Sequence, residues 1–250
     1  MDDSQLLRYS RHILLDELGP DAQMRFAQAH AVIVGMGGLG APAAQFLAAA
    51  GVGRLTLCDP DTVDLTNLQR QILYAGGDVG EPKVDAARRR LAAVNPEVVV
   101  ATVRARVGAN ELGVLTAAAD VVLDCTDNFA TRHAINRACV AARKPLVSGA
   151  ALRFDGQLAV FDTRDPASPC YHCLFGEGED LEETRCATMG VFAPLVGIVG
   201  STQAAEALKL IARVGTPLTG RLLLVDALSM QWRELRVPRD PACPVCAQRS

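Results

Sequence analysis

The sequence has no excess of positive charge and few aromatic side chains. Its 25 Lys and Arg are outnumbered by 28 Asp and Glu, and its three Tyr, seven Phe and one Trp show no interleaved pattern. A surface that binds nucleic acid needs a basic field and aromatic side chains on which bases can stack. We therefore expect no nucleic-acid partner.

The sequence also lacks a long uninterrupted hydrophobic run and an N-terminal signal. It begins with the polar residues Asp2, Asp3 and Ser4, and its longest apolar passage, at 191–200, contains Pro194 and is too short to span a bilayer. We expect no membrane association and a cytoplasmic location. A length of 250 residues, half of them apolar, fits one large α/β domain and leaves little room for a second.

Cysteine, in contrast, is abundant, with eight residues. In a reducing compartment this number favours metal binding or cysteine chemistry over disulfides. Cys170 and Cys173 form one C-x-x-C pair, and Cys243 and Cys246 form another, so that four thiolates could surround one tetrahedral Zn²⁺. The long separation of the pairs predicts a structural site that ties the C-terminal tail to the middle of the chain. A redox C-x-x-C and a chance pairing are the alternatives, and we expect His172 to point away from the cluster.

A glycine-rich turn is the central feature of the chain. The apolar run that starts at Ala31 leads into Gly35, Gly37 and Gly40 and then into an alanine-rich segment, a pattern typical of strand, tight turn and helix. Backbone N–H groups of such a turn can approach a polyphosphate. Asp59 ends the next predicted strand, about twenty residues later, where a ribose hydroxyl is usually held. The alternative for Asp59 is an ordinary turn cap, and the identity of the nucleotide stays open.

Strands and helices alternate as far as Gly149, which predicts an α/β fold with a Rossmann-like, doubly wound, mainly parallel sheet. Beyond it, the alternation at 156–161 indicates that antiparallel strands extend the sheet. We expect one domain over 1–250, with a helical arm at 1–28, a nucleotide-binding core at 29–150 and a zinc-bearing part at 151–250. The predicted helices lie at 4–12, 83–94, 128–142 and 193–214, and further strands lie at 54–58, 98–103, 121–124, 145–148, 222–225 and 232–237.

The irregular segment from Asp59 to Lys83 suggests phosphate chemistry. An NAD-dependent oxidoreductase has little need for Arg70 and Lys83 near its glycine turn, whereas attack on the α-phosphorus of a triphosphate requires cations that neutralise developing charge. The alternative is a solvated loop with ordinary surface cations. Asp127 follows the strand at 121–124, at the sheet edge where such folds bind ligands, and could hold Mg²⁺ on the phosphates. The strand-end residue Asp124 is expected to be structural.

These residues, together with the cysteine pairs and the opening motif Arg8-Tyr-Ser-Arg-His12, resemble the bacterial relatives of ubiquitin-activating enzymes. Within that family the resemblance is to the sulfur-carrier adenylyltransferases of the molybdopterin pathway, followed by those of the thiamine pathway. It implies a homodimer that uses ATP and Mg²⁺ to adenylate the C-terminal Gly-Gly carboxylate of a small ubiquitin-like carrier, with release of pyrophosphate. The acyl-adenylate is then converted to a thiocarboxylate, and the part at 151–250 would bind the carrier.

The resemblance also implies roles for individual residues. Arg70 and Lys83 would steady the phosphates, Asp127 would hold the magnesium, and Arg11 would reach the ATP of the partner subunit. The nucleophile is a carboxylate that is already ionised, so the first step needs positioning and charge stabilisation and no Ser-His or Cys-His pair. The residues expected to contact ATP are Gly38, Asp59, Thr66, Asn67, Leu68, Gln69, Arg70, Lys83, Asp127 and Asn128.

Cys186 follows the acidic, glycine-bearing stretch at 176–185, which we expect to be mobile. Related proteins carry a cysteine near this place that bonds to the carrier carbonyl or accepts sulfur; the alternative is a small buried hydrophobic residue. The sequence ends at Ser250 without the sulfur-transferase domain of some relatives, so a separate protein is expected to donate the sulfur. An NAD-dependent oxidoreductase and a non-catalytic carrier-binding scaffold are the rival functions. The remaining cysteines are expected to be structural: Cys58, Cys125 and Cys139.

Overall fold

The computed structural model describes residues 1–177 and 189–248. Eight strands form one sheet in the order β3-β2-β1-β4-β5-β6-β7-β8. The pairs among β1 to β5 are parallel, and those from β5 to β8 are antiparallel. The strands are β1 His30–Val34, β2 Arg54–Cys58, β3 Val99–Val103, β4 Val121–Asp124, β5 Pro145–Leu152, β6 Asp155–Asp162, β7 Arg221–Asp226 and β8 Gln231–Arg236. The predicted mainly parallel sheet with an antiparallel extension is confirmed.

Helices cover both faces of the parallel strands. The residues of β1 alternate between two hydrophobic clusters. Ala31 and Ile33 belong to a cluster with helical residues of 40–49, 83–94 and 193–212, while Val32 and Val34 belong to a cluster with helical residues of 109–118 and 129–142. This two-sided burial explains why β1 is a continuous apolar run. The helices are α1 Asp3–Arg8, α2 Ser10–Ile13, α3 Gly19–Gln28, α4 Gly40–Ala49, α5 Lys83–Val94, α6 Ala109–Ala118, α7 Phe129–Ala142, α8 Tyr171–Leu174 and α9 Ala193–Ala212.

The observed helices differ from the predicted ones in three places. The helix predicted at 4–12 is two short helices that meet at Tyr9, a buried residue. Helix α3, which begins at Gly19 and Pro20, was not predicted; proline is well suited to the first turn of a helix. Helix α6 was not predicted, and its central Gly113 weakens the local helical signal.

Helix α9, predicted at 193–214, extends well beyond the apolar passage at 191–200. The helix continues to Ala212 for 20 residues with a mean hydropathy of 1.3 over its most apolar window, and 56% of that window is buried. It packs on α4 and on strands β5 and β6. By length and composition alone it would suffice for a membrane span, but in this structure it is a core helix.

Gln203 joins α9 to strands β4 and β5. Its side chain is fully buried, and Nε2 donates to the carbonyl oxygens of Asp124 at 2.8 Å and Val147 at 3.2 Å. Oε1 lies 3.5 Å from the thiol of Cys125, which donates to it. Every polar atom of this buried carboxamide therefore has a partner.

We predict that Gln203→Met lowers the free energy of unfolding by about 2 kcal/mol, because the change leaves buried polar groups without partners. Urea denaturation of the purified variant measures the effect. A denaturation midpoint equal to that of the wild type would contradict this role for Gln203.

Candidate nucleotide site and metal centre

The glycine turn between β1 and α4 is shaped by two close backbone contacts. Gly35 has a φ of +92°, and a Cβ placed on it would lie 2.6 Å from the carbonyl oxygen of Cys125. A Cβ on Gly40 would lie 1.9 Å from the carbonyl oxygen of Gly35. A side chain at either position would therefore displace the backbone. Gly38, expected to contact ATP, is half-buried, and a Cβ there would lie 2.9 Å from Val196 of α9.

The side chains of Asp59 and Tyr74 hold the peptide groups of Met36, which lies in the glycine turn. Asp59 Oδ2 accepts a hydrogen bond from the Met36 N–H at 2.6 Å, and the Tyr74 hydroxyl donates to the Met36 carbonyl at 2.7 Å. Burial raises the pKa of both Asp59 and Tyr74, and nearby Lys83 partly offsets the effect on Asp59. Asp59 thus fixes the turn itself. Tyr74 was missed in the sequence, where no motif marks it.

Asp59 also connects the turn to Lys83. Its Oδ1 accepts the N–H of Asp61 at 2.8 Å, and Asp61 Oδ2 lies 3.0 Å from Lys83 Nζ. The side chain of Lys83 is 7% exposed, whereas that of Asp61 is 63% exposed. Because a solvated carboxylate is a weakly held partner, a phosphate near the turn can compete with Asp61 for the buried ammonium group. Asp61 was not among the predicted site residues.

The segment at 66–70 makes contacts within itself. It follows a capped 3₁₀ turn, in which Asp64 accepts the N–H and the hydroxyl of Thr66 and donates its own N–H to Asn67 Oδ1. Arg70 Nη1 donates to the carbonyl of Thr66 at 3.1 Å. Leu68 packs against the core, and Gln69 is exposed. In the described residues, the guanidinium of Arg70 contacts neither Lys83 nor the glycine turn.

The loop after β4 is anchored by a buried carboxylate. Asp124 is fully buried and accepts hydrogen bonds from the N–H and hydroxyl of Thr126 and from the hydroxyl of Ser148. Arg132, also buried, donates to the Thr126 carbonyl at 2.5 Å. These contacts agree with the structural role expected for Asp124. Asp127 is exposed, and its neighbour Asn128 caps α7 by accepting the N–H of Thr131.

The sheet order brings three of these parts together. Strand β1 lies between β2 and β4, and all three are parallel, so their carboxyl ends share one edge. The glycine turn, Asp59 and the loop with Asp127 follow those ends. Such an edge, where the strand order reverses direction, is the usual ligand position of doubly wound folds.

Two predicted site residues are not brought to this edge. Arg11 lies in α2, is exposed, and makes no hydrogen bond or ion pair with any described residue. Cys186 lies outside the described residues, as does most of the stretch at 176–185.

The two C-x-x-C pairs form one cluster. The Sγ atoms of all four cysteines lie within 4.8 Å of one another, with separations of 3.7 Å for Cys170 and Cys243, 3.9 Å for Cys170 and Cys173, and 3.5 Å for Cys173 and Cys246. Tetrahedral zinc with bonds near 2.3 Å requires sulfur separations of about 3.8 Å. The geometry is therefore compatible with Zn²⁺, and it joins the tail to the middle of the chain as expected.

The side chains of Asn136 and His172 contact the cysteine cluster. Asn136 Nδ2 donates to Cys170 Sγ at 3.6 Å, and the hydrogen bond between Cys173 and Cys170 lowers the pKa of the Cys173 thiol. The expectation that His172 points away was wrong, because its Nδ1 lies 3.7 Å from Cys243 Sγ. Burial raises the pKa of the cysteines outside the cluster, consistent with structural roles: Cys58, Cys125 and Cys139.

The sequence model of the ThiF family matches residues 9–245. The chain belongs to the ThiF family. It is 47% identical to the molybdopterin-synthase adenylyltransferase of Escherichia coli K12 over 99% of both chains. It is 46% identical to the ThiS adenylyltransferase of the same organism, over 98% of this chain and 97% of the relative. The resemblance inferred from the motifs is confirmed, and these ThiF-family relatives are adenylyltransferases by name.

Solved structures of the microcin enzyme MccB have a similar fold. MccB from E. coli with ATP superposes with a TM-score of 0.82 at 26% identity, over 91% of this chain and 70% of that one. MccB in complex with N-formylated MccA gives a TM-score of 0.84 at 25% identity, over 96% and 74% of the two chains.

We predict that this ThiF-family chain co-purifies with one zinc ion and that Cys243→Ser removes it. A loss of about 3 kcal/mol with the metal would lower the melting temperature by roughly 6–12 °C in a chain of this size. Metal analysis and thermal unfolding measure both effects. Cys58→Ala, a change at a buried cysteine outside the cluster, should keep the zinc, and metal-free protein after anaerobic purification would refute the assignment.

Proposed function

We propose that this protein uses ATP and Mg²⁺ to adenylate the C-terminal Gly-Gly carboxylate of a small ubiquitin-like sulfur-carrier protein. The observation that carries the proposal is a glycine turn linked through Asp59 to a buried lysine, Lys83, in a chain 47% identical to a named adenylyltransferase along its full length. An NAD-dependent oxidoreductase would leave this lysine without a use. A non-catalytic scaffold would not need Arg11, Arg70, Lys83 and Asp127 together.

In the proposed reaction, a carboxylate oxygen of the carrier bonds to the α-phosphorus of ATP. The bond from that phosphorus to the bridging oxygen breaks, and pyrophosphate leaves with the electron pair. The carboxylate is ionised at neutral pH, so the protein must mainly bring two anions together and stabilise the charge that develops. Lys83 and Arg70 would supply positive charge, and Asp127 would hold Mg²⁺, which would neutralise part of the phosphate charge.

ATP binding would exchange contacts that exist in the free protein. Lys83 would leave the exposed carboxylate of Asp61 for a phosphate, and Arg70 would leave the carbonyl of Thr66. Both existing partners are weak or solvated, so the exchange costs little. The full set proposed to contact ATP is Gly38, Asp59, Thr66, Asn67, Leu68, Gln69, Arg70, Lys83, Asp127 and Asn128.

We infer a homodimer in which Arg11 serves the ATP site of the partner subunit. Arg11 has no partner among the described residues, and the arm at 1–28 that carries it exposes Leu7 at 77% and Leu14 at 71%. Exposed apolar side chains of this size favour an interface. In a two-fold dimer both sites would borrow the same residue reciprocally.

The remaining parts of the proposal concern the region at 151–250 and the cell. This region would bind the carrier, and its edge strand β8 exposes Trp232 and Leu235, which suit a protein partner. The core at 29–150 would bind ATP. Cys186 would take part in the sulfur-transfer stage, with sulfur from a separate donor protein, and the reactions would take place in the cytoplasm.

We predict that ATP–pyrophosphate exchange requires a carrier ending in Gly-Gly and that Arg70→Ala removes most of it. Loss of one cation that stabilises the phosphates costs about 3 kcal/mol, or roughly a hundredfold in rate. Arg54→Ala, an exposed arginine at the opposite edge of the sheet, is the control and should exchange normally. If Arg70→Ala exchanges at the wild-type rate, the role assigned to Arg70 is wrong.

We also predict recovery of activity when two inactive variants share a dimer. Arg11→Ala and Asp127→Ala should each be nearly inactive alone. In a mixed dimer one site has both intact groups and the other has neither, so random pairing should restore roughly a quarter of wild-type exchange. Two different affinity tags verify the mixed dimers. If verified mixed dimers stay inactive, Arg11 does not act across the interface.

A further inference from the structure

Gln71 is a buried polar side chain with no hydrogen-bond partner in the described part of the chain. It is 3% exposed, and neither carboxamide atom bonds to a residue in 1–177 or 189–248; Oε1 is fully buried. Its backbone, in contrast, is firmly held, because its N–H donates to Asn67 and its carbonyl accepts the N–H of Tyr74. The backbone of Gln71 is therefore fixed, while its polar side-chain atoms have no partner among the described residues.

Other buried glutamines in this protein show how unusual that is. Gln203 bonds to three groups, and Gln23, 1% exposed, donates to the Ala50 carbonyl at 2.8 Å. An unpaired buried carboxamide costs stability, since it has left water without gaining a partner. Such groups require an explanation, and a missing ligand is one of them.

The carboxamide of Gln71 faces the glycine turn. Its Nε2 lies 3.5 Å from the position that a Cβ on Gly37 would take. Because Gly37 has no side chain and is only half-buried, nothing on that residue separates the amide from a ligand on the turn. Amide N–H groups donate and phosphate oxygens accept, so the chemistry of the side chain suits a polyphosphate.

We propose that Gln71 contacts the bound nucleotide by donating a hydrogen bond from Nε2 to a phosphate oxygen, an inference that rests on the proposed use of ATP. Gln71 is then an additional nucleotide-binding residue, beyond the segment at 66–70 expected from the resemblance. The side chain of neighbouring Arg70 is half-buried and donates to the Thr66 carbonyl, so in this structure it does not occupy the place of the Gln71 carboxamide beside Gly37.

The test compares ATP affinity with ligand-free stability. Gln71→Met keeps the length of the side chain and removes only its polar atoms. We expect the Kd for ATP·Mg²⁺, measured by calorimetry without carrier, to rise about tenfold to a hundredfold, because a hydrogen bond to a charged group is lost. The melting temperature of the ligand-free variant should be unchanged or higher, because no bond within the protein is lost.

Thr116→Val is the matched control. Thr116 is fully buried in α6, and its Oγ1 also lacks a partner among the described residues. The control should keep wild-type stability or gain some, and it should bind ATP normally. Gln71→Glu is a second variant of the same length, in which a carboxylate would repel the phosphates and weaken binding further.

The outcomes separate this inference from the proposed function. If wild-type protein binds ATP·Mg²⁺ and Gln71→Met binds it within twofold of wild type, Gln71 is not a ligand contact. A melting temperature of ligand-free Gln71→Met several degrees below that of the wild type would also overturn the inference, because the carboxamide would then serve the fold. Wild-type protein that does not bind ATP·Mg²⁺ would overturn the proposed function, and this inference with it.

Discussion

The candidate nucleotide site depends on the close contact between the glycine turn and the loop after β4. Gly35 reaches a positive φ and approaches the Cys125 carbonyl so closely that no Cβ would fit. This contact places the turn beside the loop that carries Asp127. The peptide groups of Met36 are held by buried partners on both sides, so the turn keeps its shape before any ligand binds. Preorganisation of this kind reduces the cost of binding.

The two cations at the same edge, Lys83 and Arg70, have partners that a phosphate could replace. Lys83 is buried but is paired with an exposed carboxylate, and within 1–177 and 189–248 the Arg70 side chain bonds only to a backbone carbonyl of its own segment. Asp59 is buried, and two backbone N–H groups and the nearby positive charge of Lys83 stabilise its carboxylate. An incoming polyphosphate would therefore find cations whose present contacts are weak, in a frame whose strong contacts need not change.

Helix α7 links this edge to the metal centre. Its first turn is capped by Asn128, next to Asp127, and Asn136 further along donates to Cys170 Sγ. The four cysteines come from two distant parts of the chain, and their cluster holds the tail against this helix. Groups that orient a metal ligand commonly matter nearly as much as the ligand itself. The cysteine cluster therefore packs against the same helix whose first turn borders the candidate nucleotide edge.

Most of the fold was readable from local sequence, because strand and helix periodicity and glycine or proline signals act over a few neighbouring residues. Strand β2, helix α5 and strand β4 were predicted with the bounds observed, and the spacing of Cys170, Cys173, Cys243 and Cys246 indicated their cluster. Helix α6 was missed because its signal is weak locally.

Only the tertiary structure decided which groups that lie far apart in the chain are in contact. No local pattern marks the Tyr74 hydroxyl as the partner of Met36, His172 as a neighbour of Cys243, or the Gln71 carboxamide as facing Gly37. The sequence determined which elements form and which chemical groups are available. Packing of those elements decided which groups meet, because the distance between two side chains depends on the whole path of the backbone between them.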